Sequence, residues 1–163
     1  MATMSRAHLI RLNPTPEQVV YFRKACGVAR HAYNWALSRW KDARSKGERV
    51  KIVDLKKEYN AIKGEQFPWV YETTKRAPEQ AFSDLQAAFD NYWRMKQNGT
   101  QPKRKHPRKD GEEAGFPRFK SKKRDRPSFY LSNDKFSLDG YILRVPKLGD
   151  VNMTEHYAFR ARS

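Results

Sequence analysis

The chain has one cysteine, Cys26, among its 163 residues. A single cysteine excludes an internal disulfide framework and any zinc site built from cysteines. No run of about 18 apolar residues occurs, which excludes a transmembrane helix. The first twelve residues carry scattered charged side chains and no apolar stretch, so we expect no secretory signal peptide. These absences are typical of a protein of the reducing cytoplasm.

Acidic residues are scarce as well. The chain has 18 Asp and Glu against 34 Lys and Arg, which gives a net charge of +16. Such a charge favours binding to a polyanion, and nucleic acid is the commonest polyanion that a cytoplasmic protein meets. Aromatic residues make up 13% of the chain, which is enough apolar surface for a folded core. The alternatives are a solvated basic surface and a scaffold protein of the ribosomal type.

The positive charge lies in two blocks. Residues 1–50 hold 10 basic and 3 acidic side chains, and residues 96–126 hold 12 and 4. The block between them, residues 51–95, is neutral, with 7 of each sign. We therefore expect contacts with a polyanion to come from the first block and from the segment that begins near Lys96.

The N-terminal half predicts a short strand followed by three helices. Residues 7–12 predict the strand, and Thr15 with Pro16 predicts the start of a helix of about 30 residues that Gly47 stops. A second helix is expected from a cap at Asp54 to Gly64 and Pro68, and a third from Pro78 onward. The expected buried faces, at steps of three and four, are Val19, Phe22, Cys26, Ala29, Tyr33, Ala36 and Trp40; Leu55, Tyr59 and Ile62; and Phe82, Leu85, Phe89 and Tyr92.

The C-terminal half predicts a loop and then strands. Residues 96–127 combine Gly and Pro with many cations, which predicts a mobile basic loop. Strands are expected at 128–131, 136–138 and 141–145, with a further one beginning at 157–160. Asp139-Gly140 predicts a type I′ turn between the second and third of these. Pro146 and Gly149 are expected to end that hairpin.

This order predicts an α+β fold in which about three helices are inserted into a sheet or barrel. We expect residues 1–13 to form the first strand, 14–95 the helical part, 96–127 the basic loop and 128–163 the returning strands. The sequence shows no converging carboxylates, no paired histidines, no G-x-S-x-G elbow and no glycine-rich phosphate loop. We therefore expect no catalysis by these residues alone, no cofactor and no metal.

Five stretches resemble the N-terminal part of the TnpB/OrfB family, which are transposon-encoded, RNA-guided DNA nucleases similar to the type V CRISPR effectors. In order along the chain, the stretches are RLNPTPEQ at 11–18, RHAYNWAL at 30–37, FSDLQAAF at 82–89, GFPRFK at 115–120 and VPKLG at 145–149. Together they span nearly the whole chain, and the fourth is the most specific.

The resemblance implies a wedge-type β-barrel with a helical recognition lobe inserted after its first strand. The N-terminal region of the family is often described as a helix-turn-helix. The family's carboxylate cluster and its zinc-binding cysteines lie in a later nuclease domain, and these 163 residues contain neither. The resemblance therefore implies a module that binds guide RNA and duplex DNA without cutting, located in the cytoplasm with the nucleoid.

The resemblance also implies residues that recognise duplex DNA. In the family, the start of the third helix reads a short DNA motif. The matching positions here are Lys75, Arg76 and Gln80. Glu79 stands where the family usually has Gln. A Ser-Asn pair in the family faces the same duplex and matches Ser132 and Asn133. Cations can donate to guanine and glutamine can pair with adenine. The alternative for the helix residues is a helix start that only faces solvent. The alternative for Ser132 and Asn133 is an ordinary Ser-Asn-Asp turn.

A second group of residues is expected to bind RNA or phosphate. Arg30 and Asn34 lie one turn apart on one helix face. The run Lys103, Arg104, Lys105, Arg108 and Lys109 predicts diffuse attraction to phosphates. Basic residues beside Phe116 and Phe119 suit a site in which cations contact phosphates and aromatic rings stack on bases. We nevertheless expect the Phe116 side chain to pack in the core and to hold the loop there. These basic residues are Arg118, Lys120, Lys122, Lys123 and Arg124.

Three other functions stay open at this point. The chain is compatible with a stand-alone helix-turn-helix regulator that binds DNA without RNA. It is also compatible with one part of a split or frameshifted nuclease whose C-terminal half is supplied separately, and with a remnant that has no selected activity. The guide, the DNA motif and the oligomeric state do not follow from the sequence.

Overall fold

A computed structural model of the protein describes residues 7–103 and 105–157. Three helices dominate it: α1 (Pro16–Ser45), α2 (Ile52–Gln66) and α3 (Arg76–Gln97), with a 3₁₀ turn at Pro68–Glu72 before α3. Four short strands complete the fold: β1 (Leu12–Asn13), β2 (Ser137–Asp139), β3 (Ile142–Val145) and β4 (Gly149–Met153). None of the helices within these ranges has an apolar stretch that could span a membrane.

The four strands form one open antiparallel sheet in the order β1-β4-β3-β2. The first strand therefore pairs with the last described strand, and the three helices lie between β1 and β2 in the chain. This confirms an α+β fold with a helical part inserted after the first strand. The predicted strand at residues 7–12 is confirmed only at Leu12, because β1 is Leu12–Asn13. Beyond this strand the Arg11 carbonyl still accepts from the N–H of Thr154 at 2.9 Å.

Helix α1 begins and ends where the sequence predicts. Thr15 and Gln18 form a reciprocal capping box, Pro16 occupies the first turn, and Gly47 follows the helix with a φ of 75°. The predicted buried face is confirmed only at Tyr33 and Ala36, since the other five positions are only partly buried. These are Val19, Phe22, Cys26, Ala29 and Trp40. The reason is that α1 contributes to two separate apolar clusters. Its first part buries Tyr21 and Ala25 against the sheet, and its later part buries Val28, Ala32, Tyr33, Ala36 and Leu37 against the other helices.

Helices α2 and α3 form the main core with α1. The fully buried side chains include Leu37 from α1, Leu55 and Tyr59 from α2, and Leu85 from α3. The predicted face of α3 is confirmed at all four positions, from Phe82 to Tyr92. The predicted cap at Asp54 is wrong, because α2 begins at Ile52 and Asp54 already lies in its first turn. Gly64 does not stop α2, which continues to Gln66 just before Pro68.

Residues 98–136 contain no helix or strand where they are described. The predicted strand at 128–131 is therefore wrong. Its apolar side chains are used for packing rather than for a strand pair: Phe129 lies beside Phe22 at 5.9 Å between ring centroids and contacts both apolar clusters. An alternating apolar pattern does not form a strand unless a neighbouring strand pairs with it.

The predicted hairpin is confirmed, with its turn one residue later than expected. Asp139 pairs with Ile142, so Gly140 and Tyr141 are the central residues of the turn. Gly140 has a φ of 56° and Tyr141 is not in the positive-φ region, which is the φ pattern of a type II′ turn rather than type I′. The hairpin ends before Pro146 as expected, because β3 ends at Val145. Residues 146–148 form a turn that leads into β4, a strand that the sequence did not predict and that begins at Gly149. The expected strand at 157–160 lies outside the described residues except for Tyr157.

Two side chains of α1 connect the helices to the sheet. The Tyr21 hydroxyl donates to the carbonyl of Pro146 at 3.0 Å and accepts from the backbone N–H of Thr74 at 3.1 Å. The Gln18 amide donates to the carbonyl of Asp150 at 2.6 Å. Because Tyr21 bonds both the β3–β4 turn and the segment before α3, it fixes the start of α3 relative to the sheet.

Candidate nucleic-acid interface

Acidic residues tie the basic loop to the helices. The Glu112 carboxylate contacts Lys41 at 2.9 Å and Arg44 at 3.2 Å, both on α1. On α3, Tyr92 donates to Glu113 at 2.6 Å and Lys96 contacts it at 2.9 Å. The hydrogen bonds from Tyr92, Lys96 and Gln101 lower the pKa of Glu113 to about 2. The acidic pair in the loop therefore holds the loop in place and neutralises helix cations.

Phe116 anchors the same loop in the core. It is 3% exposed, and its ring lies 5.3 Å from Tyr92, 5.6 Å from Phe89 and 5.8 Å from Trp40. This confirms the expectation that Phe116 pins the loop. The loop is thus a packed segment, although it has no regular secondary structure.

Arg108 is buried, which corrects its assignment to the run of phosphate-attracting cations. Its side chain is 3% exposed. The guanidinium donates to both oxygens of Asp110 and to the carbonyls of Glu113 and Phe116, the last at 2.5 Å. The Arg108 hydrogen bond lowers the pKa of Asp110. Arg108 therefore closes the 108–116 turn from inside, and the acidic residue two positions later was the sequence signal for this role.

Asn34 holds the backbone of the loop against α1. Its amide nitrogen donates to the carbonyl of Lys120 at 2.8 Å, and its oxygen accepts from the N–H of Lys120 at 2.7 Å. Both sides of the amide are thus used inside the protein. The Lys120 ammonium lies 4.4 Å from the centroid of the Tyr33 ring, a cation–π contact. The predicted RNA contact of Asn34 stays a prediction, and the structure gives this side chain a positioning role.

Phe119 lies between two grooves. One groove runs along α1 and includes Arg30, His31 and Trp35. The other is lined by loop residues, with Arg118 among them. Phe119 lines both grooves and is 43% exposed. The structure therefore brings the predicted phosphate contacts Arg30 and Arg118 to the two sides of one exposed aromatic ring, an arrangement suited to phosphates and bases together.

A third groove joins the two predicted groups of site residues. It is lined by Gln80, Asp84, Lys120 and Tyr130, among others. The Gln80 amide donates to the Asp84 carboxylate at 3.1 Å. Gln80, expected to contact DNA, and Lys120, expected to contact RNA, thus lie along one groove.

At the start of α3, Glu79 partly neutralises the predicted DNA-reading cations. Its carboxylate lies 3.3 Å from Arg76 and 3.9 Å from Lys75. The Lys75 side chain is 82% exposed. The Arg76 guanidinium lies over the Tyr130 ring at 5.6 Å, and its Nε is buried without a hydrogen-bond partner in the described structure. Lys75 is therefore accessible to a ligand, whereas Arg76 is held by Glu79 and Tyr130.

The remaining predicted residues lie apart from these grooves or are exposed. The carbonyl of Ser132 accepts from the N–H of Lys135 at 2.9 Å, and Asn133 lies in that turn. Within the described residues no ion pair involves any of four exposed lysines of the basic loop. These are Lys103, Lys105, Lys122 and Lys123. The predicted contact Arg104 lies outside the described residues.

Many carboxylates of the described residues contact neighbouring cations, and Glu79 and Glu112 each contact two. Across residues 7–103 and 105–157, no three His, Cys, Asp or Glu side chains form a group that could hold a metal ion. Sequence reasoning missed three features of the interface: the buried position of Arg108, the loop contacts of Glu112 and Glu113, and the joint lining of the α1 groove by His31 and Phe119.

The described fold is α+β, with a basic, aromatic-bearing loop packed on its first helix. Residues 1–49 match the family model HTH_OrfB_IS605, described as a helix-turn-helix domain. This confirms the resemblance of the N-terminal part to the TnpB/OrfB family and indicates a DNA-binding, transposase-associated protein. No curated protein sequence matches the chain.

The structure shows which elements the matched segment contains. Its described part, residues 7–49, holds β1 and a single continuous helix, α1. The next helix, α2, begins at Ile52, beyond the matched residues. A helix-turn-helix arrangement in this protein therefore needs α2 in addition to the matched segment.

Proposed function

We propose that this chain is a nucleic-acid-binding module of the TnpB/OrfB type, which binds RNA and duplex DNA and does not itself cut them. The observation that carries the proposal is the arrangement around Phe119. This ring is exposed between two grooves, and the grooves carry Arg30 on one side and Arg118 on the other. Aromatic faces flanked by cations suit bases and phosphates at once.

The topology supports the same proposal. The first strand pairs with the last described strand while the three helices are inserted between them. A recognition lobe inserted into a wedge-type barrel has this order. The observed four-stranded sheet is open. A closed wedge-type barrel is therefore part of the proposal.

The proposed duplex-binding face is the exposed start of α3. Lys75 is accessible there, and Gln80 lines the neighbouring groove with Lys120. Glu79 lowers the local positive charge, so we expect a weak and sequence-dependent duplex contact at this site. In this arrangement RNA contacts α1 and the loop, while the duplex contacts α3.

A binding experiment tests the proposal. Fluorescence anisotropy is measured with a single-stranded RNA and with a DNA duplex at several salt concentrations. The test variant is Arg30→Ala with Arg118→Ala, and the control is Lys57→Ala, whose side chain is 77% exposed on α2. We expect the wild type to bind both ligands with a steep salt dependence. The double variant should lose up to about 0.7 of slope on RNA per lost phosphate contact.

The control variant should bind like the wild type. Failure of the wild-type chain to bind either ligand at low salt would overturn the proposed function. Equal losses in the double variant and the control would remove Arg30 and Arg118 from the interface.

The match of residues 1–49 to a helix-turn-helix domain favours a second candidate, a regulator that binds duplex DNA by itself. The two candidates differ in the RNA arm of the same experiment. A regulator binds one preferred duplex much more tightly than any RNA of equal charge, whereas the proposed module binds RNA at least as tightly as duplex DNA.

A further inference from the structure

Helices α2 and α3 leave an open groove of about 400 Å³ between them, here called the α2–α3 groove. Among the described residues, its lining includes none from α1 and none from the basic loop. It is therefore separate from the candidate nucleic-acid interface. The lining residues that the argument uses are Ile52, Val53 and Lys56 of α2, and Phe82, Gln86 and Asp90 of α3.

The α2–α3 groove has apolar side chains both inside it and beside it. Ile52 and Phe82 belong to the buried core and form the apolar inner surface of the groove. Val53 in the lining is 54% exposed, and Trp93, which is 50% exposed, follows Asp90 by about one turn on the same side of α3. An exposed valine and an exposed tryptophan beside an apolar groove are typical of a surface that a protein covers.

The groove carries one charge of each sign, and neither forms an ion pair. Gln86 donates to the Asp90 carboxylate at 2.8 Å, but no cation among the described residues contacts Asp90, and no carboxylate contacts Lys56. The two side chains belong to different helices. The groove thus presents an available cation and an available anion on one face.

The surroundings of the groove are neutral in an otherwise basic chain. Residues 51–95 hold 7 basic and 7 acidic side chains, so the whole net charge of +16 lies outside them. Two copies of so basic a chain repel each other, and the repulsion is weakest where neutral surfaces face each other. Of the surfaces of this protein, the α2–α3 groove is therefore well suited to contact a second copy.

We propose that the α2–α3 groove is the contact between two copies of this chain in a symmetric dimer. A two-fold axis places the same surface of both copies against itself. If the axis passes midway between Lys56 and Asp90, Lys56 of one copy meets Asp90 of its partner, and the pair occurs twice. The face is thus complementary to itself in charge, and its apolar groove with Val53 is covered in both copies. The proposal goes beyond the proposed function and does not depend on it.

Charge reversal at the two positions tests the proposal. The test variants are Lys56→Asp and Asp90→Lys. The controls are Lys135→Asp and Asp134→Lys, which make the same charge changes at side chains that are 65% and 69% exposed and do not line the groove. The full chain is treated with nuclease, its folding is checked by circular dichroism, and its oligomeric state is measured by sedimentation velocity over a range of concentrations.

We expect the wild type and both controls to pass from monomer to dimer as the concentration rises. Each test variant places like charges together at both contacts, so its dimer dissociation constant should rise at least about tenfold. An equimolar mixture of Lys56→Asp and Asp90→Lys restores opposite charges at both contacts. This mixture should form a heterodimer with an affinity close to that of the wild type, which also shows that both variants are folded.

A wild-type chain that stays monomeric up to about 1 mM would overturn the proposal. A dimer that both test variants leave intact would place the contact elsewhere, and two folded variants that do not associate when mixed would refute the pairing of Lys56 with Asp90. A monomeric chain that binds a different protein through this groove would refute the choice of a second copy. The binding experiment with Arg30 and Arg118 decides the proposed function separately, because neither residue lines the groove.

Discussion

Replacing Arg108 by methionine tests whether this buried cation has a structural role. The exposed cations of the same loop, by contrast, are expected to bind phosphate. Methionine keeps an unbranched side chain of similar reach but removes the guanidinium. Four hydrogen bonds are lost, two to Asp110 and two to the carbonyls of Glu113 and Phe116. The carbonyls then lose a donor in a site where the Arg108 side chain is 3% exposed.

The expected cost follows from these contacts. A hydrogen bond that involves a charged group contributes about 1.5–3 kcal/mol. Asp110 is 45% exposed, so water replaces much of what its two bonds contribute. We therefore expect a loss of about 2–4 kcal/mol of unfolding free energy, mostly from the two carbonyls. For a chain of this size that lowers the melting temperature by about 4–16 °C.

The matched comparison is Lys103→Ala with Lys105→Ala, a few residues away on the same loop. These side chains are exposed, so we expect little change in melting temperature. The slope of log K against log salt should flatten by up to about 0.9 per lost duplex phosphate contact and about 0.7 per contact on a single strand. Thermal unfolding by circular dichroism and binding at several salt concentrations measure both effects. The reasoning would be refuted if Arg108→Met melted like the wild type and flattened the salt slope instead.

Three further predictions follow from the site. The lowered pKa of Glu113, about 2 against 4.5 in the unfolded chain, contributes stability that is fully present above pH 4.5 and is lost as the pH falls towards 2. Melting curves over that range should show this loss of stability. In the Glu113→Gln variant, the loss over the same pH range should be smaller. Lys75→Ala should weaken binding to one preferred duplex by about 1–3 kcal/mol and to unrelated duplexes much less; equal losses on a duplex panel would make it a phosphate contact. Finally, the purified chain with Mg²⁺ should leave plasmid DNA intact, because no three His, Cys, Asp or Glu side chains of its described residues form a group that could hold a metal ion; nicking that disappears on substitution of one acidic residue would contradict this.

The boundaries of α1 and the end of α2 before Pro68 could be predicted from the sequence because their signals are local, whereas the start of α2 was placed wrongly at Asp54. Thr15 with Pro16 starts α1, Gly47 follows its end, and Pro68 lies just beyond α2. Each of these residues acts on backbone groups within about one turn. The hairpin at Gly140 is local as well, although the turn type depended on which residues paired. The apolar face of α3 was predictable because that helix packs on one side only.

The site depended on contacts that no local pattern encodes. Asn34 fixes Lys120 across 86 positions in the sequence, and Tyr21 bonds a turn 125 residues away. Cations of one loop look alike in the sequence, yet burial makes Arg108 a structural residue and leaves Lys103 exposed. Charge and periodicity therefore specify a basic α+β protein with three helices. Which cations and rings face a ligand is decided by tertiary packing, because burial depends on residues that are distant in the chain.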